Sequence, residues 1–488
     1  MYSSLVCRLK SHPGAGCCLH VIRLCHQPVS TADSSSRPYP ELDPYVSKKI
    51  QDGKRIGNGR IPCIQPPEDI TQSLAKCISN GSMDNVLNNI DKYIGTGQKM
   101  ERYLGSRKLP LDTRNLAVYK TKFFQQAQRK YKNELSQLDE DDIDSVHEME
   151  ENLSKEVALK LATAKGNWKP IHFDYTSTWA YILGGLTAYD YASSVYTLRK
   201  VFEYDKRFQP STHLDFGSGV GSFTWALRKF LKSNNKLKEE FFVESSADMN
   251  DASRLLRYDG KDSTPNEIIS SKGVFYRLHF PANENLKYDL VTCGSSLSEL
   301  ESSQLRLNIA DSLWRRVEDG GYLVIYERGT NSGFQVISEI RDYLIQLQEF
   351  VEEDPQIRGE LIAPCTHSMG CPRYLHDKIP CNYDVKYKNF QLSMFPSEYR
   401  EIVYRNRLCY LIFRKNMHLE LSDKKWHRIV KEKKRTKNTY ICELCTNKGK
   451  LEEIFVHRRD KTLYNYTKQV EVGDLYRANL NSLLNKEI

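Results

Sequence analysis

Three cysteines stand within nineteen residues in APCTHSMGCPRYLHDKIPC, residues 363–381: Cys365, Cys371 and Cys381. Thiolates bind soft metals, and four at one point suit an iron–sulfur cluster or a structural zinc. The fourth candidate lies downstream in YICELCTNKGK, at Cys442 or Cys445. Zinc sites usually hold two close pairs, and here only Cys442 and Cys445 form one, so the spacing favours a cluster and leaves zinc open. His367 and His376 share the loop and could replace a ligand, but each reads first as a surface loop histidine. The chain has thirteen cysteines, unevenly spread, with four in the first 25 residues. A secreted disulfide framework is spaced more evenly, so the late set reads as a metal site in a reducing compartment.

A second stretch, LDFGSGVGSFTWA at 214–226, carries Asp215, Gly217, Ser218, Gly219 and Gly221 between a short apolar run and a helical pattern. Glycines in that place let a strand turn sharply into a helix and let a ligand touch the backbone. Glu244 ends the next predicted strand, where a carboxylate can accept hydrogen bonds from both hydroxyls of a ribose. The order D-x-G-x-G-x-G resembles motif I of class I S-adenosylmethionine-dependent methyltransferases. That resemblance implies a cofactor whose methionine end lies on the glycine loop, oriented by Asp215, with the ribose on Glu244. Where base-amine methyltransferases carry an Asn/Asp-Pro-Pro-aromatic motif, this chain reads CGSS at 293–296. Cys293 reads as a buried strand-end cysteine, and no catalytic residue emerges.

The third stretch is basic. KKWHRIVKEKKRTKN, 424–438, has eight Lys/Arg against one acid between 424 and 437. Lys424, Lys425, Arg428, Lys433, Lys434, Arg435 and Lys437 can exchange counterions for phosphates, and Trp426 or His427 can stack on an exposed base. The whole chain has a net charge of +9, which also points to an anionic partner such as RNA.

These stretches need elements to hold them. With 488 residues the chain is long enough for two or three domains. No run of eighteen apolar residues marks a transmembrane helix. Residues 1–32 have Arg8, Lys10 and Arg23 and no acid before Asp33, the pattern of a mitochondrial transit peptide. Residues 33–65 read as a linker. Residues 66–170 are helical in period, including RNLAVYKTKFFQQAQRKYKNEL, a basic amphipathic helix with Phe123 and Phe124 expected inward. From 171 to 416 the strands THLDF, EFFVESS, KYDLVTC and GGYLVIYERG alternate with helices such as SSQLRLNIADSLWRRV. That alternation predicts a doubly wound α/β sheet. The cysteine loop, 363–385, is inserted in it. After 386 the text reads as β-rich: FQLSMF, RLCYLIFRKN, TYICEL, LEEIFVHRR and TLYNYTKQV. Residues 417–488 form a basic β-rich extension.

Taken together, LDFGSGVGSFTWA, SSLSEL, LWRR, APCTHSMGCP and the late CELC resemble the mitochondrial methyltransferase-like proteins that assemble the small ribosomal subunit, over about 175 to 475. The resemblance implies a class I methyltransferase-like fold and a [4Fe–4S] cluster on Cys365, Cys371, Cys381 and Cys445. It also implies an S-adenosylmethionine pocket whose methyl transfer is in question. The expected role is binding immature small-subunit rRNA and ribosomal proteins in the mitochondrial matrix, as a monomer on the assembling subunit and away from membranes. An active rRNA methyltransferase and a zinc-stabilised structural ribosomal protein are the alternatives.

Overall fold

The computed structural model describes residues 42–480, apart from 52–62, 80–83, 111–112, 136–142, 166–167, 233–236, 259–272, 282, 284, 353, 375–378, 397–398, 400–401, 417–425 and 479. The transit peptide expected over 1–32, His376, and Lys424 and Lys425 lie outside the described residues. No helix among the described residues is long and apolar enough to cross a membrane.

The alternating text from THLDF onward builds one large sheet. Strands β1 (Thr212–Phe216), β2 (Glu239–Val243), β3 (Val274–Arg277), β4 (Tyr288–Gly294) and β5 (Val317–Arg328) are parallel to one another. Beyond β5 come β6 (Gly359–Ala363), β7 (Tyr383–Lys388) and the long β8 (Val403–Lys415). The order is β3-β2-β1-β4-β5-β8-β6, with β7 also on β8, and β8 is antiparallel to β5, β6 and β7. The parallel strands are buried on both faces and therefore read as apolar runs such as LVIY. The order reverses between β2 and β4 around β1. That is the switch point where an open sheet leaves a crevice at its strand ends.

Helices cover both faces. On one side the N-terminal helices α1 (Pro44–Gln51), α2 (Glu68–Ser79) and α3 (Ile90–Ser106) precede the pair α4 (Thr113–Lys130) and α5 (Ile143–Lys165). Next come α6 (Tyr175–Leu183) and α7 (Leu186–Tyr204). Ile70, Leu74 and Ile94 of α2 and α3 share one core with Trp179, Tyr189 and the inner residues of β5. Helices α2 and α3 are thus packed on the large sheet, while α4 and α5 pack on each other through Ala127, Leu153 and Val157. Helices α8 (Ser222–Arg228), α9 (Ala247–Arg257), α10 (Ser303–Arg315) and α11 (Asn331–Leu347) follow β1, β2, β4 and β5 respectively. Helix α10 (with Leu313 and Trp314) and helix α11 (with Ile337 and Ile340) build a second core on the opposite face.

A smaller sheet of β9 (His427–Ile429), β10 (Lys434–Arg435), β11 (Thr439–Cys445), β12 (Leu451–His457) and β13 (Leu475–Tyr476) closes the described chain, with helix α12 (Lys461–Gln469) against it.

Several expectations are corrected. TLYNYTKQV is α12, not a strand. Asp460 caps it by accepting a bond from Leu463 N at 3.0 Å, and Leu463, Tyr464, Tyr466 and Thr467 give the helical spacing. FQLSMF is irregular; Phe390, Leu392 and Phe395 are buried around a turn that Phe395 N closes on Leu392 O. The stretch read as a linker, 33–65, contains α1, whose Val46 is buried in the core of the small sheet, and Leu42 pairs with Ala478. On α4, Phe123 packs against α5, but Phe124 points out and is 44 % exposed.

Candidate functional site

The glycine loop sits at the crevice. It is fixed from behind, since Gly217 N and Ser218 N both bond to Val243 O of β2. Gly217 has φ +64, and a Cβ there would meet Ser296 Oγ at 2.0 Å, so the residue must be glycine for conformation and for space. Glu244 accepts from Gly219 N at 2.9 Å and from Ser246 N at 2.9 Å. The acid and the loop therefore hold one another. Ser245 Oγ also donates to Oε1 at 3.4 Å, so Oε2 is the oxygen that keeps lone-pair capacity for a further donor.

Asp215 is buried beneath the loop. Thr292 Oγ1 donates to its Oδ1 at 2.7 Å, while Oδ2 has no partner. Burial, with the carboxylates of Glu244 and Asp190 nearby, pushes its pKa up to about 8 against the Thr292 bond. Ser218 Oγ is also buried without a partner. Both residues line a cavity of about 610 Å³, together with Gly219, Glu244 and Phe280. That volume suits a drug-sized ligand. Two unsatisfied polar atoms on its wall fit a ligand with an ammonium group and donors, as the amino-acid end of S-adenosylmethionine has.

The wall opposite the loop holds residues that the sequence did not single out. Asp190 of α7 accepts from Tyr181 Oη at 2.5 Å, from Ser295 Oγ at 3.2 Å and from Tyr326 Oη at 3.3 Å. Burial raises it to about 6. Ser295 takes φ +53, rare for a non-glycine residue, at the turn out of β4. That turn is held by Glu327, which accepts from Leu297 N and Ser298 N, and by the buried Arg107 paired with Glu299. The GSS after Cys293 was the available signal. Cys293 itself is fully buried on β4, its thiol raised by burial.

The cysteine site lies beyond β5, where Asn382, next to Cys381, donates to Gly329 O at 2.6 Å. Cys365, Cys371 and Cys381 follow β6 and pack beside the α11 core. Burial first, then neighbouring thiols, raise Cys371 to about 12 and also raise Cys381 and Cys445. Cys365 acts on all three, so these four form one electrostatic group. Cys442 does not join it. Residues an odd number apart on a strand face opposite ways, and Cys442 is buried with Ile454 and Tyr466 in the core of the small sheet. Among the described residues, no group of three or more His, Cys, Asp or Glu side chains is drawn together as for a metal ion.

Three buried arginines ring the thiols. Arg341 donates to His367 O and Met369 O, Arg373 pairs with Glu443 at 2.6 Å, and Arg428 donates to Gly473 O at 2.7 Å. Arg373 Nε, Arg428 Nε, Thr366 Oγ1 and His367 Nδ1 are buried without partners. Donors left unsatisfied beside a group of thiols fit an acceptor-rich anionic centre such as a thiolate-bound cluster. His367 corrects its reading as a surface residue. It is 5 % exposed, with Nε2 3.3 Å from Cys445 Sγ, and burial beside Arg341 lowers its pKa to about 4.

The basic segment divides. Arg428, Trp426 and His427 are buried, and Lys433 Nζ donates to Thr467 O and Lys468 O at the end of α12. Those side chains serve the fold, because the segment supplies the strand β9 at the junction of the small sheet. Lys434, Arg435 and Lys437 are exposed.

The family model described as "Mitochondrial small ribosomal subunit Rsm22" matches residues 176–477, which include the glycine loop, Glu244 and the four cysteines of the thiol site. The human "Ribosome assembly protein METTL17, mitochondrial" is 26 % identical over 381 residues, covering 78 % of this chain and 76 % of that protein. "Rsm22-cox11 tandem protein 2, mitochondrial" of Schizosaccharomyces pombe is 26 % identical over 320 residues, covering 59 % of this chain and 41 % of that protein. Among solved structures, the magnesium protoporphyrin IX methyltransferase of Synechocystis PCC 6803 with bound SAM is 12 % identical at a TM-score of 0.28, over 51 % of this chain and 86 % of that one. The N-methyltransferase NodS of Bradyrhizobium japonicum WM9 with S-adenosyl-L-homocysteine is 12 % identical at a TM-score of 0.27, over 46 % and 86 %. With the family model matched over well more than half its length, the chain belongs to the mitochondrial small ribosomal subunit Rsm22 family.

Proposed function

We propose that this chain is an assembly factor of the mitochondrial small ribosomal subunit, acting in the matrix by binding immature small-subunit rRNA and the ribosomal proteins around it. The observation that carries the reading is the family match over residues 176–477. In this reading the cavity takes S-adenosylmethionine. Asp215 and Ser218 meet its amino-acid end and Glu244 its ribose; the unpartnered Asp215 Oδ2 and Ser218 Oγ support the first assignment, and the place of Glu244 after β2 on the cavity wall supports the second. Cys365, Cys371, Cys381 and Cys445 hold a [4Fe–4S] cluster, which the mutual influence of their thiols and the surrounding arginines support. The cluster's role is to tie β11 to the loop after β6 and so fix the small sheet, which carries RNA-binding lysines and arginines.

The test is anaerobic purification of the full chain with iron, sulfide and zinc analysis, followed by co-sedimentation with immature small subunits. About four irons and four sulfides per chain are expected, with subunit binding that cysteine variants lose. One zinc without visible absorbance would replace the cluster by a structural knuckle, and absence from immature subunits would overturn the assembly reading.

A second reading, an active rRNA methyltransferase, is favoured by Asp190. A carboxyl held up to about 6 on the cavity wall is placed to take a proton from an acceptor near neutral pH. Labelled methyl transfer to immature subunits, lost in Asp190→Asn, would establish it.

A further inference from the structure

The outward face of the small sheet carries an exposed phenylalanine in a row with a lysine, which neither the cavity nor the cysteine site uses. In the register of β10, β11 and β12, Lys434 lies opposite Ile441, and Ile441 lies opposite Phe455. Directly paired residues share a face and neighbouring strands lie about 4.8 Å apart, so the three side chains form one row. Phe455 is 53 % exposed, in a sheet whose other face buries Tyr440, Cys442, Ile454 and Val456 against α12. Phe455 thus offers more than half its surface to solvent beside Ile441, with Lys434 one strand further on.

The adjoining row is polar, with Thr439 Oγ1 2.9 Å from His457 Nδ1. Around this end stand exposed Lys437, Arg458 and Arg459; Arg458 N bonds to Asn438 O, which seats its backbone beside the Lys437 turn. The acids of the same face, Glu443 and Glu453, lie toward the Cys445 end. Glu443 is engaged by Arg373 and Lys431.

We infer that this face is a platform for single-stranded RNA, with one unpaired base stacked on Phe455 and the flanking phosphates on Lys434, Lys437 and Arg458. A flat aromatic on a β-sheet accepts any base, and a rim of cations follows the backbone. Duplex RNA presents no free base face and fits less well. The platform deepens the rRNA-binding reading above and rests on it. Ile441 and Cys445 share that face of β11 about 14 Å apart, so the thiol site anchors the strand at one end and the platform uses the other.

The test measures binding of the full chain, purified anaerobically, to a fluorescein-labelled single-stranded RNA and to the same RNA annealed to its complement. The single strand is expected to bind more tightly. Phe455→Ala should weaken it about tenfold, and Phe455→Tyr should restore it. Lys434→Ala should lower the slope of log affinity on log salt by about one. Wild-type affinity in Phe455→Ala, or equal affinity for the duplex, would overturn the platform. Unchanged RNA affinity with lost binding to immature subunits would overturn it by assigning the face to a protein. Failure of the wild-type chain to join immature subunits, with stacking on Phe455 intact, would sink the assembly reading alone.

Discussion

At the residue scale, the cavity is set by carboxyl groups kept from their ordinary charge. Burial raises Asp215 to about 8, Glu327 to about 7 and Asp190 to about 6. Acids raised above their unfolded values hold protons that the unfolded chain releases. Their contribution to stability is full below about pH 4 and is lost as pH rises through about 8. Above about pH 6.5, where the lowered His213 and His367 no longer contribute a pH dependence, the melting temperature of the ligand-free protein should fall toward about pH 8, and less so in Asp215→Asn. A ligand carrying an ammonium group favours the ionised form. S-adenosylhomocysteine should thus bind more tightly toward about pH 8, with a flatter profile in Asp215→Asn; calorimetry at several pH values reads both. The two late cysteines separate in the same way. Cys442→Ser buries an unpartnered hydroxyl and should cost about 1–3 kcal/mol while leaving metal content unchanged. Cys445→Ser should lower bound iron.

At the element scale, the small sheet depends on residues that composition alone casts as surface. Lys433 caps the end of α12 through the carbonyls of Thr467, Lys468 and Val470, and Asp460 caps its start. Asp460→Ala should cost about 1 kcal/mol in denaturant unfolding. Lys433→Met should also destabilise the chain without changing its RNA affinity at low temperature, whereas Lys434→Ala should do the reverse. The parallel strands around the glycine loop were legible because a strand, a turn of fixed glycines and a helix leave marks at fixed spacing. The family resemblance points to Cys445, but residue spacing leaves Cys442 open, and the physical separation comes from the alternation of a strand whose register is set by β12 and β9. Helix α12 was misread because Tyr464 and Tyr466 are β-formers by propensity, and its cap and packing override that preference. Asp190 was hidden because its partners come from α6, β4 and β5, far apart in sequence.

At the scale of the whole molecule, the cavity and the thiol site lie on different parts of one sheet. The cavity opens at the switch point around β1, and its outer wall comes partly from the segments that follow α3 and α5. In the proposed reading the thiols tie the loop after β6 to β11, and the buried Arg373–Glu443 pair joins the same two segments. Losing that junction should free the small sheet from the core while leaving the cavity intact. Cysteine variants are therefore expected to keep S-adenosylhomocysteine binding and lose RNA binding. The most direct measurement is co-sedimentation of full-length wild-type and Cys445→Ser protein with immature mitochondrial small subunits, with iron content determined on the same samples. Wild type carrying iron and sedimenting with the subunit, beside a folded Cys445→Ser protein that has lost both, is the expected result. A Cys445→Ser protein that has lost its iron and still sediments with the subunit would contradict it.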